Sequence, residues 1–137
     1  MADIQTFQNT TMPNFQRVFS WGLKLSDFNE VFFVTGHTDC DENFVTQYPN
    51  DAVLQTKVIL QKMKSFIESS GYSLKDVVRT DWTFVDSVSA EEFSQIAALW
   101  ETYFETLEHK PATGTLRYVS RLGMPELKVE YEMLLAR

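Results

Sequence analysis

The segment from Asp51 to Asp86 constrains the fold most, because four local signals follow one another in it without a gap. Val53, Leu54, Val58, Leu60, Met63, Phe66 and Ile67 recur at roughly the 3.6-residue spacing of an amphipathic helix. Asp51 stands where an N-cap is needed, and Gly71 ends the helix because glycine takes up the left-handed conformation of a C-terminal cap at little cost. A turn over Ser73-Leu74-Lys75-Asp76 follows. Val77 to Val85, rich in β-branched and aromatic residues, then predicts a strand. Helix, stop, turn and strand in this order lay a helix across a sheet.

Similar patterns flank this unit. Between Gln16 and Leu25, Arg17, Phe19, Trp21, Leu23 and Leu25 alternate with Val18, Ser20, Gly22 and Lys24, a period of two that predicts a first strand. Ser26-Asp27-Phe28-Asn29 forms the turn and Glu30 to Gly36 the second strand. So short a connection permits a hairpin and no crossover, so these two strands are expected to pair antiparallel. His37 to Asn50 is polar and reads as a loop. Ser89-Ala90-Glu91-Glu92 has the pattern of a capping box and opens a second helix through Phe93, Ile96, Leu99, Trp100, Tyr103 and Phe104, ending near Lys110-Pro111. Thr115 to Leu122 and Glu126 to Ala136 predict two last strands around a turn at Gly123-Met124-Pro125. The order is strand, strand, helix, strand, helix, strand, strand: an α+β domain over residues 1–137.

Two helices cover one face of such a sheet and leave the other open. Val31 and Phe33 point one way from the second strand while Phe32 and Val34 point the other, so both faces are apolar there. The second face is expected to be covered by further copies of the chain, since self-association buries apolar area without new sequence. The net charge of -7 repels phosphate backbones and argues against a nucleic-acid partner. The single Cys40 forms no internal disulfide, the first residues lack the pattern of a signal peptide, and no apolar run approaches the roughly 20 residues of a membrane helix; a cytoplasmic, non-membrane protein is expected. His37, Cys40, Asp39 and Asp41 share the polar loop, but His109 lies far off without ligand spacing and Cys40 has no identifiable base, so neither a metal site nor a cysteine nucleophile is assigned.

Three stretches in sequence order, Val34-Thr35-Gly36-His37, Gly71 to Asp86, and Pro111-Ala112 with Arg121-Leu122 and Lys128-Val129-Glu130-Tyr131-Glu132, resemble the reactive intermediate deaminase (Rid, or YjgF/UK114) family. The resemblance implies a mixed β-sheet with two helices on one face, the chorismate mutase-like or YjgF-like fold. It further implies a homotrimer whose sheets form a central barrel, with ligand clefts between subunits and cofactor-free hydrolysis of enamines and imines. Glu130 matches the family's water-positioning glutamate, and Thr35, Gly36 and His37 match the strand end that lines the cleft. Phe19 stands where a tyrosine is common, and Trp21 replaces a polar residue, which implies either a more apolar pocket for a larger ligand or ordinary packing of these rings at a subunit interface. Where catalytic members carry a substrate-binding arginine, this chain has Thr113 or, counting back from Arg121-Leu122, Gly114; the chain has gained a residue in between. Thr115 and the neighbouring backbone remain to polarise a substrate. Arg117 is a weak replacement cation, since three or four residues along a strand is about 10–13 Å and an odd offset reverses its face.

The reading that follows is a hydrolase of an enamine or imine, acting on an unidentified substrate that is larger, lacks the usual small carboxylate, or is held by other residues. One alternative is a non-catalytic or regulatory trimer that binds a small molecule in the same clefts. Another is a pathway-specific member acting on a ring-derived imine or enamine. Ribonuclease or translation-inhibitor activity, described for some members, conflicts with the charge of -7.

Overall fold

The computed structural model describes residues 2–137. Its elements are β1 (Asp3–Phe7), β2 (Gly22–Ser26), β3 (Val31–His37), α1 (Ala52–Ser69), a 3-10 turn (Leu74–Asp76), β4 (Val77–Val85), α2 (Ala90–Tyr103), β5 (Ala112–Val119) and β6 (Val129–Ala136). β3, β6, β4 and β5 lie side by side in that order as a four-stranded mixed sheet. β6 runs antiparallel to both β3 and β4, whereas β5 is parallel to β4.

Both helices begin, and α1 also ends, as their local chemistry requires, whereas α2 stops at Tyr103, short of the end expected near Lys110-Pro111. The Asp51 carboxylate accepts the Leu54 N–H, satisfying one of the donors that a helix start leaves without a partner. At the other end Gly71 takes φ +91°, and the Gly71 and Tyr72 N–H groups return to the Glu68 and Ile67 carbonyls. Ser89 and Glu92 form a reciprocal capping box at the start of α2, and Ser73 and Asp76 form another at the 3-10 turn.

The helices cover one face of the sheet. Trp100 of α2 stacks on Trp82 of β4 at 5.2 Å and meets Tyr131 of β6 edge-on at 5.1 Å, while Ile59, Met63 and Ile67 of α1 complete the buried cluster. The Tyr131 hydroxyl donates to Thr56, whose own hydroxyl donates to the Ala52 carbonyl, so the buried polar atoms are paired in a chain. Burial raises the Tyr131 pKa, and the hydrogen bond to Thr56 only partly opposes the shift. Among the described residues no helix is long and apolar enough to cross a membrane.

The N-terminal third differs from its sequence pattern. β2 does not pair with β3; it pairs antiparallel with β1, Asp3 opposite Ser26 and Phe7 opposite Gly22, as a separate two-stranded ribbon. The hairpin expectation took the nearest strand as partner, but Asp3–Phe7 competes for the same edge and Asp27 turns the chain at φ +52°. The strand expected from residue 16 begins only at Gly22, because the Val18 and Phe19 N–H groups both bond the Phe15 carbonyl and curl the chain into a turn. β5 covers 112–119 rather than 115–122, and β6 starts at Val129.

The face opposite the helices is open. Phe33 is 77% exposed and Val31 38%, whereas Phe32 and Val34 pack inward, Phe32 stacking on Tyr72 at 4.7 Å.

Candidate functional site

The open face carries the carboxylates Glu130 and Glu132 of β6 and the charged residues Arg79 and Asp81 of β4. On β6 Glu130 lies opposite Thr83 of β4, and its carboxylate reaches over Gly36 of β3. The β3–β6 register slips between Val34 and His37, which sets Gly36 beneath that carboxylate. A β-carbon at Gly36 would stand 2.8 Å from Oε2 of Glu130, so a side chain there would push that carboxylate out of its present position. Burial raises the Glu130 pKa and the neighbouring Glu132 adds to the shift, with His37 acting the other way. A carboxylate displaced in this direction is a stronger base toward a water proton.

The second half of the site is built where β4 meets β5. Thr80 faces Thr113 and Trp82 faces Leu116, so two steps along β4 span three along β5. This register shift is a β-bulge at Gly114–Thr115, opposite Asp81. The bulge frees the Thr115 N–H, which donates to Oδ1 of Asp81 at 2.8 Å. Arg79 donates to the two Asp81 oxygens from Nε and Nη2, both at 3.2 Å, and Asp81 raises the arginine's pKa further. The guanidinium lies flat over Gly114: a β-carbon there would overlap Nε, Cζ and Nη2.

Between the two halves is a cleft of about 380 Å³, with Phe33, Thr35, Gly36, Arg79, Asp81 and Glu132 in its lining. Thr35 and Gly36, both expected from sequence, line it directly, and Glu130 sits against Gly36. Thr113, Gly114 and Thr115 stand behind Arg79 and Asp81 rather than in the lining. Arg117 is in register with Thr83, itself opposite Glu130, so the bulge puts Arg117 in the same cross-strand row as the glutamate. His37 leaves the cleft: its ring packs 5.6 Å from Phe66 of α1 and Nδ1 sits 2.6 Å from the Thr35 carbonyl oxygen. Phe19 and Trp21 meet edge-on at 5.3 Å beside Phe15, outside the cleft lining. Ser20 between them bridges to Ala112, which tethers this aromatic cluster near the start of β5. Cys40 contacts Met124, sulfur to sulfur, at 3.5 Å. A larger concavity of about 640 Å³ around Glu30, Tyr72 and Arg137 contains none of the residues expected in the site.

Sequence reading missed Arg79 and Asp81. Their signal is visible once β4 is read as a strand: opposite charges at i and i+2 share one face.

Residues 15–136 match the sequence profile of the endoribonuclease L-PSP family. The RutC family protein PH0854 of Pyrococcus horikoshii is 30% identical over 105 residues, covering 76% of this chain and 75% of that protein. Among solved structures, the Rid-family protein YyfB of Yersinia pestis superposes with a TM-score of 0.85 at 22% identity, over 98% of each chain. The YjgF gene product of E. coli gives a TM-score of 0.63 at 21% identity, over 97% of this chain and 98% of that one.

Proposed function

We infer, from the premise that this chain belongs to the endoribonuclease L-PSP family of Rid/YjgF proteins, that it is a hydrolase of an enamine or imine that works without a cofactor. The observation that carries the reading is Glu130, a partly buried carboxylate with a raised pKa that lies against Gly36, a residue of the cleft lining. In this reaction Glu130 orients water and takes its proton as the oxygen adds to the C=N carbon. The nitrogen takes up that proton from Glu130 as the carbinolamine forms, is protonated again to leave as ammonia, and the hydroxyl loses its proton as it becomes the carbonyl of the product. Three copies cover one another's open faces and close the clefts, so that Phe33 and Val31 are buried in the assembly.

Ammonia release from a panel of imines tests this. The wild-type protein releases ammonia from at least one of them and Glu130→Ala loses that rate while keeping its fold; equal rates in the two proteins refute the assignment. A second reading, a trimer that binds a small molecule without transforming it, is favoured by Phe19 and Thr113, which supply neither a phenolic hydroxyl nor a cation. It predicts saturable ligand binding with no ammonia from any member of the panel.

A further inference from the structure

The Arg79–Asp81 pair on the open face is more constrained than a surface ion pair needs to be. An exposed pair contributes about 0–1 kcal/mol and imposes nothing on its neighbours. Here three independent features hold one arginine in one orientation. Asp81 takes Nε and one Nη2 hydrogen, fixing the plane of the guanidinium. Asp81 is itself held by the Thr115 N–H that the bulge releases from the ladder. Gly114 provides the space in which the plane lies, and any side chain there would expel it.

Those bonds use one edge of the guanidinium. The other edge, Nη1 with the remaining Nη2 hydrogen, has no protein acceptor among the described residues, and the arginine's side chain is half exposed. Arg79 is also the one cationic residue in the cleft lining. An edge of two parallel N–H groups, fixed by a carboxylate behind it, matches the two oxygens of a carboxylate in front. Glu132, the carboxylate that shares the lining, is exposed to water, so its repulsion of an incoming anion is screened.

We propose that Arg79, oriented by Asp81 and given room by Gly114, is the specificity-determining residue of this cleft and holds the carboxylate of its ligand. The proposal rests on reading this cleft as the ligand site, and it is independent of whether the ligand is hydrolysed there. It assigns the missing cation to β4, one strand away from where sequence comparison looks for it.

Simple probes suffice to test it. Propanoate and benzoate, each with its amide as neutral counterpart, are titrated into the ¹⁵N-labelled full-length protein at low ionic strength while the amide resonances of Gly36 and Thr115 are followed. The wild type binds each carboxylate about ten- to a hundredfold more tightly than its amide, the strength of a charge-assisted bidentate pair. Arg79→Gln abolishes the preference, and Arg79→Lys, which keeps the charge but loses the fork, retains only part of it. Gly114→Ala also abolishes it although Arg79 is still present, which a purely structural ion pair would not explain. Glu130→Ala keeps the preference while losing turnover, so the failure of hydrolysis and the failure of this assignment are separately visible. Equal affinity for acids and amides, no carboxylate binding at millimolar concentration, or an unchanged preference in Arg79→Gln would each overturn it.

Discussion

Replacing Phe33 with serine should dissociate the assembly and leave the protomer folded. In the protomer the ring is 77% exposed, so removing it costs the isolated fold little, within about 0.5 kcal/mol as for most surface substitutions. In an assembly that covers the open face the same ring is desolvated, and burying a phenylalanine contributes about 1.5–3 kcal/mol. A trimer buries three, so the substitution removes roughly 5–9 kcal/mol from assembly. At about 1.4 kcal/mol per decade the dissociation constant rises by three to six decades. Sedimentation velocity across micromolar concentrations reads the result directly. The wild type runs at three times the 15.9 kDa protomer mass and the variant at the protomer mass, with far-UV circular dichroism unchanged. A wild-type protein that sediments at 15.9 kDa, or a variant that stays assembled on dilution, refutes the covered face and the shared clefts together.

Three further outcomes follow from the packing and the charges. Glu130→Gln raises the melting temperature near neutral pH: burial lifts the folded pKa above the unfolded value, so ionisation destabilises the fold as pH rises, and the difference between variant and wild type vanishes as pH falls below the unfolded value. Ser89→Ala removes the side chain that accepts the Glu92 N–H and costs about 1 kcal/mol, a loss of about 3–5 °C in melting temperature by calorimetry. Trp100→Ala empties a wholly buried site between Trp82 and Tyr131 and costs about 3–5 kcal/mol, seen as a lower urea midpoint with little change in slope.

What was legible in the sequence is what is decided within a few residues. The start and stop of α1, the Ser89–Glu92 box and the strand character of Val77 to Val85 depend on contacts no more than a turn away, and each is where the pattern puts it. The pairing of β2 is a competition between distant segments, and no local signal reports that Asp3–Phe7 outcompetes Val31–His37 for its edge. Alternation from Arg17 onward looked like strand because a period of two does not register the two N–H groups that converge on the Phe15 carbonyl.

The site divides along the same line. Gly36 and Glu130 were both named by resemblance, and the structure brings the Glu130 carboxylate against Gly36, where a β-carbon would displace it. At the arginine position the resemblance leaves two counts, one from Pro111-Ala112 and one from Arg121-Leu122, and each lands on a residue with no charge, Thr113 or Gly114. An insertion in a strand is resolved physically as a bulge, which turns a backbone N–H out of the ladder and reorients the neighbouring side chains. Here the released Thr115 N–H recruits Asp81, Asp81 fixes Arg79, and the guanidinium settles over Gly114 from the adjacent strand. The bulge and the guanidinium over Gly114 are thus coupled through Asp81: the backbone N–H that the bulge frees holds the carboxylate that orients Arg79.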